Sequence, residues 1–136
     1  MMDSQQLIQA FLDGDPFAVA GASTSRAKYG NKVLRCYLQN DRRAIPLHRN
    51  EAAVEGQAAY RSLDAIPEAI HGLSIITPPA VTETIVDDAI AAGIQHLWMQ
   101  PGAESEAAIR RAEAAGIGVI HGGPCLLVVL GFTDAD

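Results

Sequence analysis

The stretch "FAVAGASTSRAKYGNKVLRCYLQN", residues 17–40, predicts a strand, a loop and a helix in succession. The run "FAVA" is apolar and typical of a short buried strand, and the segment ending at Asn40 repeats apolar residues at helical spacing. Between the two, Gly21 allows a sharp turn that brings backbone amides close to a ligand. A helix that starts beside such a turn presents unpaired N–H groups, so the stretch predicts an anion site.

The chemistry of this loop favours phosphate. Gly21, Ala22 and Ser23 offer backbone amides and a hydroxyl, and Arg26 and Lys28 supply positive charge. The dinucleotide fingerprint, counted from Gly21, requires further glycines where this chain has Ser23 and Arg26, and the P-loop pattern is missing. We therefore predict a phosphate cradle of another kind, with an ordinary strand-to-helix turn carrying solvated cations as the alternative.

The same alternation continues along the chain. Further strands are predicted in "RAIPL" (43–47), "LSIIT" (73–77), "HLWMQ" (96–100) and "GVIH" (118–121). Helices are predicted in "SQQLIQAFL" (4–12), "LDAIPEAI" (63–70), "PPAVTETIVDDAIAAG" (78–93) and "SEAAIRRAEAAG" (105–116), with loop from 48 to 63. The closing run "CLLVVLG" (125–131) fits a helix or a sixth strand.

Strands that alternate with helices imply a parallel sheet covered on both faces, because parallel neighbours need crossover connections. The predicted fold class is therefore α/β, a doubly wound parallel sheet of five or six strands. We expect a single domain over residues 1–136, with the helix in 1–14 packed on it. The ligand site is expected at the carboxyl ends of the strands, where the strand order reverses, between the first and fourth strands.

Composition excludes several classes of protein. The net charge of −6 and pI near 5.1 disfavour nucleic acid, and no apolar run is long enough to cross a bilayer, so neither nucleic acid nor a membrane is an expected partner. The acidic start of the chain differs from a signal sequence, which favours the cytoplasm. Cys36 and Cys125 lack the spacing of metal ligands and are expected to be buried thiols without a disulfide.

The ends of the other strands also suggest a nucleotide ligand. A domain that binds NAD places an acidic residue after its second strand, whereas this chain has His48 and Arg49, which would attract the extra phosphate of NADP or coenzyme A. The alternative is that Arg49 points into solvent. At the third strand, Thr77, Pro78 and Pro79 form a rigid wall for an adenine or an extended chain, or serve only to start a helix.

At the fourth strand, Gln100 and Gly102 lie beside the expected site, whereas Trp98 and Met99 are expected in the core.

Catalytic groups are harder to find. His121 near Cys125 is the one suggestive Cys/His pair, and it lacks a third group to orient it. No catalytic or metal-binding residue is therefore predicted.

The ordered set "VAGAS…R.KYG", "IPLHRN", "IITPP", "LWMQPG" and "AGIGVIHGGPC" resembles the small stand-alone CoA-binding proteins, which are similar to the CoA-binding domain of the succinyl-CoA synthetase alpha subunit. The resemblance covers Phe17 to Cys125. It implies a Rossmann-like fold and coenzyme A as ligand, with its phosphates on the first glycine loop and its adenine beside the second and third strand ends. The residues it implies for the site are Gly21, Ala22, Ser23, Arg26, Lys28, Tyr29, Gly30, Leu47, Asn50, Thr77, Pro78, Pro79, Gln100 and Gly102.

Three functions follow from this reading. The preferred one is a non-catalytic module that binds or senses coenzyme A or an acyl-CoA. The alternatives are an NADP-dependent enzyme and a subunit of a multi-chain acyl-CoA enzyme whose partner supplies the chemistry. The sequence leaves open whether the chain forms a homo-oligomer or has a protein partner.

Overall fold

A computed structural model describes residues 2–134 of the chain. In chain order its helices and strands are α1 (Ser4–Leu12), β1 (Phe17–Ala20), α2 (Tyr29–Gln39), β2 (Ala44–Leu47), β3 (Ala53–Val54), β4 (Gln57–Ala58), β5 (Gly72–Ile75), α3 (Pro79–Ala92), β6 (His96–Met99), α4 (Glu106–Ala114) and β7 (Gly118–Ile120). A short 3-10 helix spans Leu63–Ala65, and a π-helical turn spans Leu127–Gly131.

Five of these strands form one parallel sheet in the order β2-β1-β5-β6-β7. Val19 in β1 lies opposite Pro46 on one side and Ser74 on the other. The strand order therefore reverses between β1 and β5, the first and third strands of this sheet. The expectation of a reversal between the first and fourth strands was wrong, because β5, the third strand of this sheet in chain order, takes the edge of β1 that β2 leaves open.

Helices cover both faces of the sheet, which confirms the predicted α/β doubly wound class. Leu73, Leu97 and Val86 belong to the core under α3 and α4, while Phe17 and Tyr37 belong to the core under α1 and α2. All four residues of β1 are buried, as expected for a strand packed on both sides. On the second face, the rings of Phe17 and Tyr37 stack with centroids 4.8 Å apart.

Local signals located the helix ends well. Asp3 caps α1 by accepting from the Gln6 amide, while the Gln6 side chain accepts from the Asp3 amide, which makes a capping box. Gly93 ends α3 at a φ of +76°. Phe11 is buried, so α1 packs against the core on this face of the sheet.

Two segments differ from their prediction. The stretch 48–63, predicted as loop, contains the antiparallel hairpin of β3 and β4. The helix predicted over 63–70 is limited to one 3-10 turn at Leu63–Ala65. The closing run, for which a helix or a sixth strand was predicted, forms a π-helical turn. Each of these elements is at most five residues long, so contacts with the rest of the domain, which local patterns do not report, decide its form.

Two histidines at the amino edge of the sheet predict a pH-dependent stability. The rings of His71 and His96 lie 4.5 Å apart between centroids, and burial, followed by the neighbouring His71, lowers the pKa of His96. The unfolded chain therefore binds a proton on His96 at a higher pH than the folded protein does. We expect the free energy of unfolding to fall as the pH drops below about 6.5.

Urea unfolding between pH 5 and 7.5 measures this effect. His96→Gln removes the titrating ring and is expected to flatten the pH dependence. His121→Gln, which changes an exposed histidine, is the matched control and should leave the slope as it is in the wild type. An equal slope in His96→Gln and the wild type would contradict the assignment.

Candidate functional site

The loop between β1 and α2 makes unusually close backbone contacts. Gly21 has a φ of +96°, and a Cβ there would lie 2.0 Å from the carbonyl oxygen of Ile76. A Cβ on Gly30 would lie 1.9 Å from the carbonyl oxygen of Gly21. Side chains are thus excluded at both positions, which lets the turn pack directly against the start of α2 and the end of β5.

The first turn of α2 has backbone donors without a side-chain cap. Lys28 is the N-cap residue, and its side chain accepts no hydrogen bond from the helix. The amides of an uncapped first turn lack intrahelical partners and carry the positive end of the helix dipole. This end of α2 is therefore suited to an anion at the turn after β1.

Two adjoining clefts open at the carboxyl edge of the sheet. The first, about 480 Å³ in volume, surrounds the loop and is lined by Gly21, Ala22, Ser23, Lys28, Tyr29, Gly30, His48 and Ile76. The second, about 270 Å³, extends toward β2 and α3 and is lined by Ala20, Gly21, Ala22, Leu47, His48, Arg49, Arg61, Ser62, Leu63, Thr77, Val81, Ile85 and Asp88. Gly21, Ala22 and His48 line both clefts, so the two form one continuous groove at the switch point.

Eight of the fourteen residues predicted for the site line this groove. They are Gly21, Ala22, Ser23, Lys28, Tyr29, Gly30, Leu47 and Thr77. Asn50, Pro78, Pro79, Gln100 and Gly102 line neither cleft, and Arg26 lines a separate recess with Arg35 and Glu55. The structure therefore brings together the loop and the ends of β2 and β5, while the other six residues lie outside the lining of this groove.

Arg26 is engaged by a carboxylate. Its Nη1 atom lies 2.6 Å from Oε1 of Glu55, and its side chain is 49% exposed. A hydrogen bond from Asn31 is the main cause that lowers the pKa of Glu55, with the charge of Arg26 adding to it. Glu55 is therefore ionised at neutral pH. Arg26 and Glu55 are 29 residues apart in the chain, and no pattern in the sequence indicated that they would pair.

Gln100 acts from beneath the groove. It is fully buried, and its Oε1 atom accepts from the Leu126 amide at 2.9 Å and from the Tyr29 hydroxyl at 3.1 Å. The Tyr29 oxygen also lies 2.8 Å from the Cys125 sulfur. Because a phenol has one proton and Gln100 takes it, the Cys125 thiol donates to Tyr29.

This cluster changes the interpretation of the cysteines. The partner of Cys125 is Tyr29 and not His121, and burial raises the pKa of Tyr29 far above its ordinary value. Cys36 is buried, and burial raises the pKa of its thiol to about 11, whereas Cys125 is only partly buried. The expectation of two buried thiols therefore holds for Cys36 alone; both cysteines are free.

His48 and Arg61 complete the polar wall of the second cleft. His48 Nδ1 accepts from the amides of Asn50 and Glu51 at 3.1 and 3.0 Å, which leaves the proton of the neutral ring on Nε2. Arg61 donates to the Arg49 carbonyl at 3.1 Å. Sequence reasoning missed Arg61, because it lies in the stretch predicted as loop and matches no motif.

Two further properties hold for the part of the chain that the structure describes. None of its helices has the length and apolar character needed to cross a membrane. Residues 2–134 also contain no group of three or more His, Cys, Asp or Glu side chains arranged to hold a metal ion.

The sheet order and the groove define a Rossmann-like α/β domain with its cleft at the switch point. The chain belongs to the CoA binding domain family, which it matches over residues 15–131. The resemblance drawn from the ordered motifs is thereby confirmed.

Solved structures share this fold. A conserved hypothetical protein from Pyrococcus furiosus is 35% identical, with a TM-score of 0.80 over 85% of this chain and 99% of its own. A protein from Thermus thermophilus is 23% identical with a TM-score of 0.83 over 95% and 96%, which supports the fold. The dinucleotide-forming acetyl-coenzyme A synthetase 1 of Ca. Korarchaeum cryptofilum is 25% identical with a TM-score of 0.67, over 76% of this chain and 25% of that enzyme.

Proposed function

We propose that this protein binds coenzyme A, or an acyl-CoA, in the groove at the carboxyl ends of β1, β2 and β5. The observation that carries the proposal is the close contact between Gly30 and Gly21, which places the uncapped start of α2 against the turn beside Lys28. Backbone donors, a helix dipole and a cation then meet at one point, which suits a diphosphate. Membership of the CoA binding domain family supports the ligand class.

The groove has room for the parts of such a ligand. Its first cleft would take the diphosphate, and its second, with Leu47 and Thr77, would take the adenosine. Arg49 and Arg61 line that second cleft and would pair with the 3′-phosphate, which NAD lacks. The remaining predicted residues, Arg26 among them, stay predictions for contacts at the rim.

We propose a binding or sensing role without catalysis. Within residues 2–134, the partly buried thiol of Cys125 has Tyr29 as its partner, and a phenol with a raised pKa is a poor general base. Gln100 orients the Tyr29 hydroxyl, but an amide oxygen is not a base, so these three residues supply no group able to deprotonate the Cys125 thiol. Purified protein is thus expected to leave acyl-CoA thioesters intact.

A subunit of a larger acyl-CoA enzyme is the second candidate. The likeness to the Korarchaeum acetyl-coenzyme A synthetase favours it, because 76% of this chain matches 25% of that enzyme. Purification from the native host, followed by mass spectrometry of bound proteins and small molecules, separates the two: a partner chain that confers acyl-CoA turnover supports the second candidate.

Calorimetric titration tests the ligand directly. We expect CoA to bind, dephospho-CoA to bind more weakly and NAD to show no binding, since the acidic residue that holds the NAD ribose is replaced by His48 and Arg49. NADP is included to test the alternative of an NADP-dependent enzyme. Binding of NAD at least as tight as that of CoA would overturn the proposal.

Loss of one cation beside the loop is expected to weaken binding without harm to the fold. Lys28→Ala and Arg26→Ala should each lower CoA affinity by roughly tenfold or more, which corresponds to the loss of one charge-assisted hydrogen bond. Arg26→Lys should recover part of the lost affinity, because lysine keeps the charge but cannot form the bidentate hydrogen bonds of a guanidinium group.

Calorimetry with CoA measures the affinities, and thermal melts without ligand check the fold. Arg43→Ala is the matched control. Arg43 also forms an ion pair at 2.6 Å, with Glu68, and it lies directly before β2, at the end of that strand opposite the groove. Affinities in both alanine variants equal to that of the wild type would show that these cations are solvated surface charges.

A further inference from the structure

Glu55 reaches the ligand loop from a separate hairpin. It lies in the tight turn between β3 and β4, and its two carboxylate oxygens take different donors. Oε1 accepts from Arg26 at 2.6 Å, and Oε2 accepts from the Asn31 amide nitrogen at 2.9 Å. The carboxylate therefore joins the loop after β1 to the first turns of α2.

The same side of α2 also holds the backbone of the loop. Asn31, which is fully buried, donates to the Ser23 carbonyl at 2.8 Å, and Arg35 donates to the Arg26 carbonyl at 2.8 Å. Arg35 in turn donates to Asn31 at 2.7 Å. Because the peptide unit is planar and trans, a carbonyl held toward α2 turns the N–H group of the same peptide away from it. The two hydrogen bonds thus fix the direction of two loop amides.

The backbone of Glu55 points to a role for its side chain. Its φ is +50° and that of Gly56 is +77°, the pattern of a two-residue hairpin turn in which Asn, Asp and Gly dominate the first position. Glutamate is uncommon there, and its longer side chain is what reaches both Arg26 and Asn31.

We propose that Glu55 is a positioning residue for the ligand loop: with Asn31 and Arg35 it holds residues 23–26 in their binding shape before the ligand arrives. Preorganisation of this kind raises affinity by reducing the ordering that binding requires. The inference rests on the proposed function, since the ligand whose affinity it raises is coenzyme A.

Glu55→Gln is the informative variant. Two donors face Glu55, and glutamine offers one oxygen and one NH₂ group, so one donor loses its acceptor in either orientation of the amide. We expect CoA affinity to fall by about three- to tenfold, as for the loss of one hydrogen bond. Amide hydrogen exchange in residues 23–28 should become faster without ligand and return toward the wild-type rate with saturating CoA.

Glu68→Gln is the matched control, because Glu68 also lies 2.6 Å from an arginine, Arg43, and that pair is remote from the loop. It should change neither the affinity nor exchange in the loop. A Glu55→Gln variant with lower thermal stability but unchanged affinity and loop exchange would overturn the inference and leave Glu55 a structural residue. Tighter CoA binding would also overturn it, by showing that the carboxylate competes with phosphate for Arg26. If the wild type itself fails to bind CoA, the proposed function fails instead. Hydrogen exchange in the loop then still tests whether Glu55 holds residues 23–26 in place.

Discussion

Replacement of Gly30 with alanine is expected to destabilise the protein by about 3 kcal/mol or more and to abolish ligand binding. Gly30 lies in α2, where an alanine would ordinarily stabilise a helix by about 1 kcal/mol. Here its Cβ would lie 1.9 Å from the Gly21 carbonyl oxygen, and the neighbouring atoms are backbone that cannot rotate away. The turn after β1 and the start of α2 must therefore separate.

Urea unfolding followed by fluorescence of Trp98, the single tryptophan, measures this loss. Gly116→Ala is the control: Gly116 has a φ of +83° but open space around it, so it reports backbone strain alone, about 1–2 kcal/mol. If Gly30→Ala is as stable as the wild type, the close contact that carries the proposed function does not exist in solution.

Replacement of Trp98 with alanine is expected to cost about 3–5 kcal/mol of stability. Trp98 is fully buried in β6, and its ring packs edge-on against Phe11 with centroids 5.3 Å apart. Its Nε1 also donates to the Pro124 carbonyl at 3.0 Å, which fixes the segment before Cys125. The variant thus leaves a large cavity and frees the chain that follows β7.

Trp98→Phe separates these two contributions, because it keeps an aromatic ring but loses the hydrogen bond. We expect it to cost less than Trp98→Ala in circular dichroism melts, which do not depend on the tryptophan. Val128→Ala, at a residue that is 80% exposed, should change stability by no more than about 0.5 kcal/mol. Equal costs for Trp98→Ala and Val128→Ala would contradict the packing described for β6.

Both large effects concern contacts that shape the groove. Gly30 sets the distance between the turn and the helix, and Trp98 holds the segment that carries Cys125 and Leu126. Through the Leu126 amide this segment also orients Gln100, which accepts from Tyr29 in the groove wall. The shape of the groove therefore depends on the core on the α1 and α2 face as well as on the loop.

Much of the fold was predictable because its signals are local. The apolar run at 17–20, the capping residue Asp3 and the terminating Gly93 each act on neighbours within a few residues. The same holds for the loop at Gly21, where the need for a residue without a side chain is visible in the sequence. The membership of the chain in the CoA binding domain family was recognisable from the order of such motifs.

Other features depended on residues distant in the chain. Strand order follows from which edge of β1 each strand takes, and local periodicity is the same for either edge. Glu55 meets Arg26 only because the hairpin of β3 and β4 folds over the loop, and Tyr29 meets Cys125 across 96 residues.

The sequence by itself therefore determined the five strands of the parallel sheet, the principal helices, the glycine turn and the family. Tertiary structure alone decided the switch point between β1 and β5, the burial of Gln100 and the pairing of Arg26 with Glu55. The physical reason is the range of the interactions: turns and helix ends are fixed by neighbouring residues, whereas long-range pairs are fixed by the packing of the whole domain.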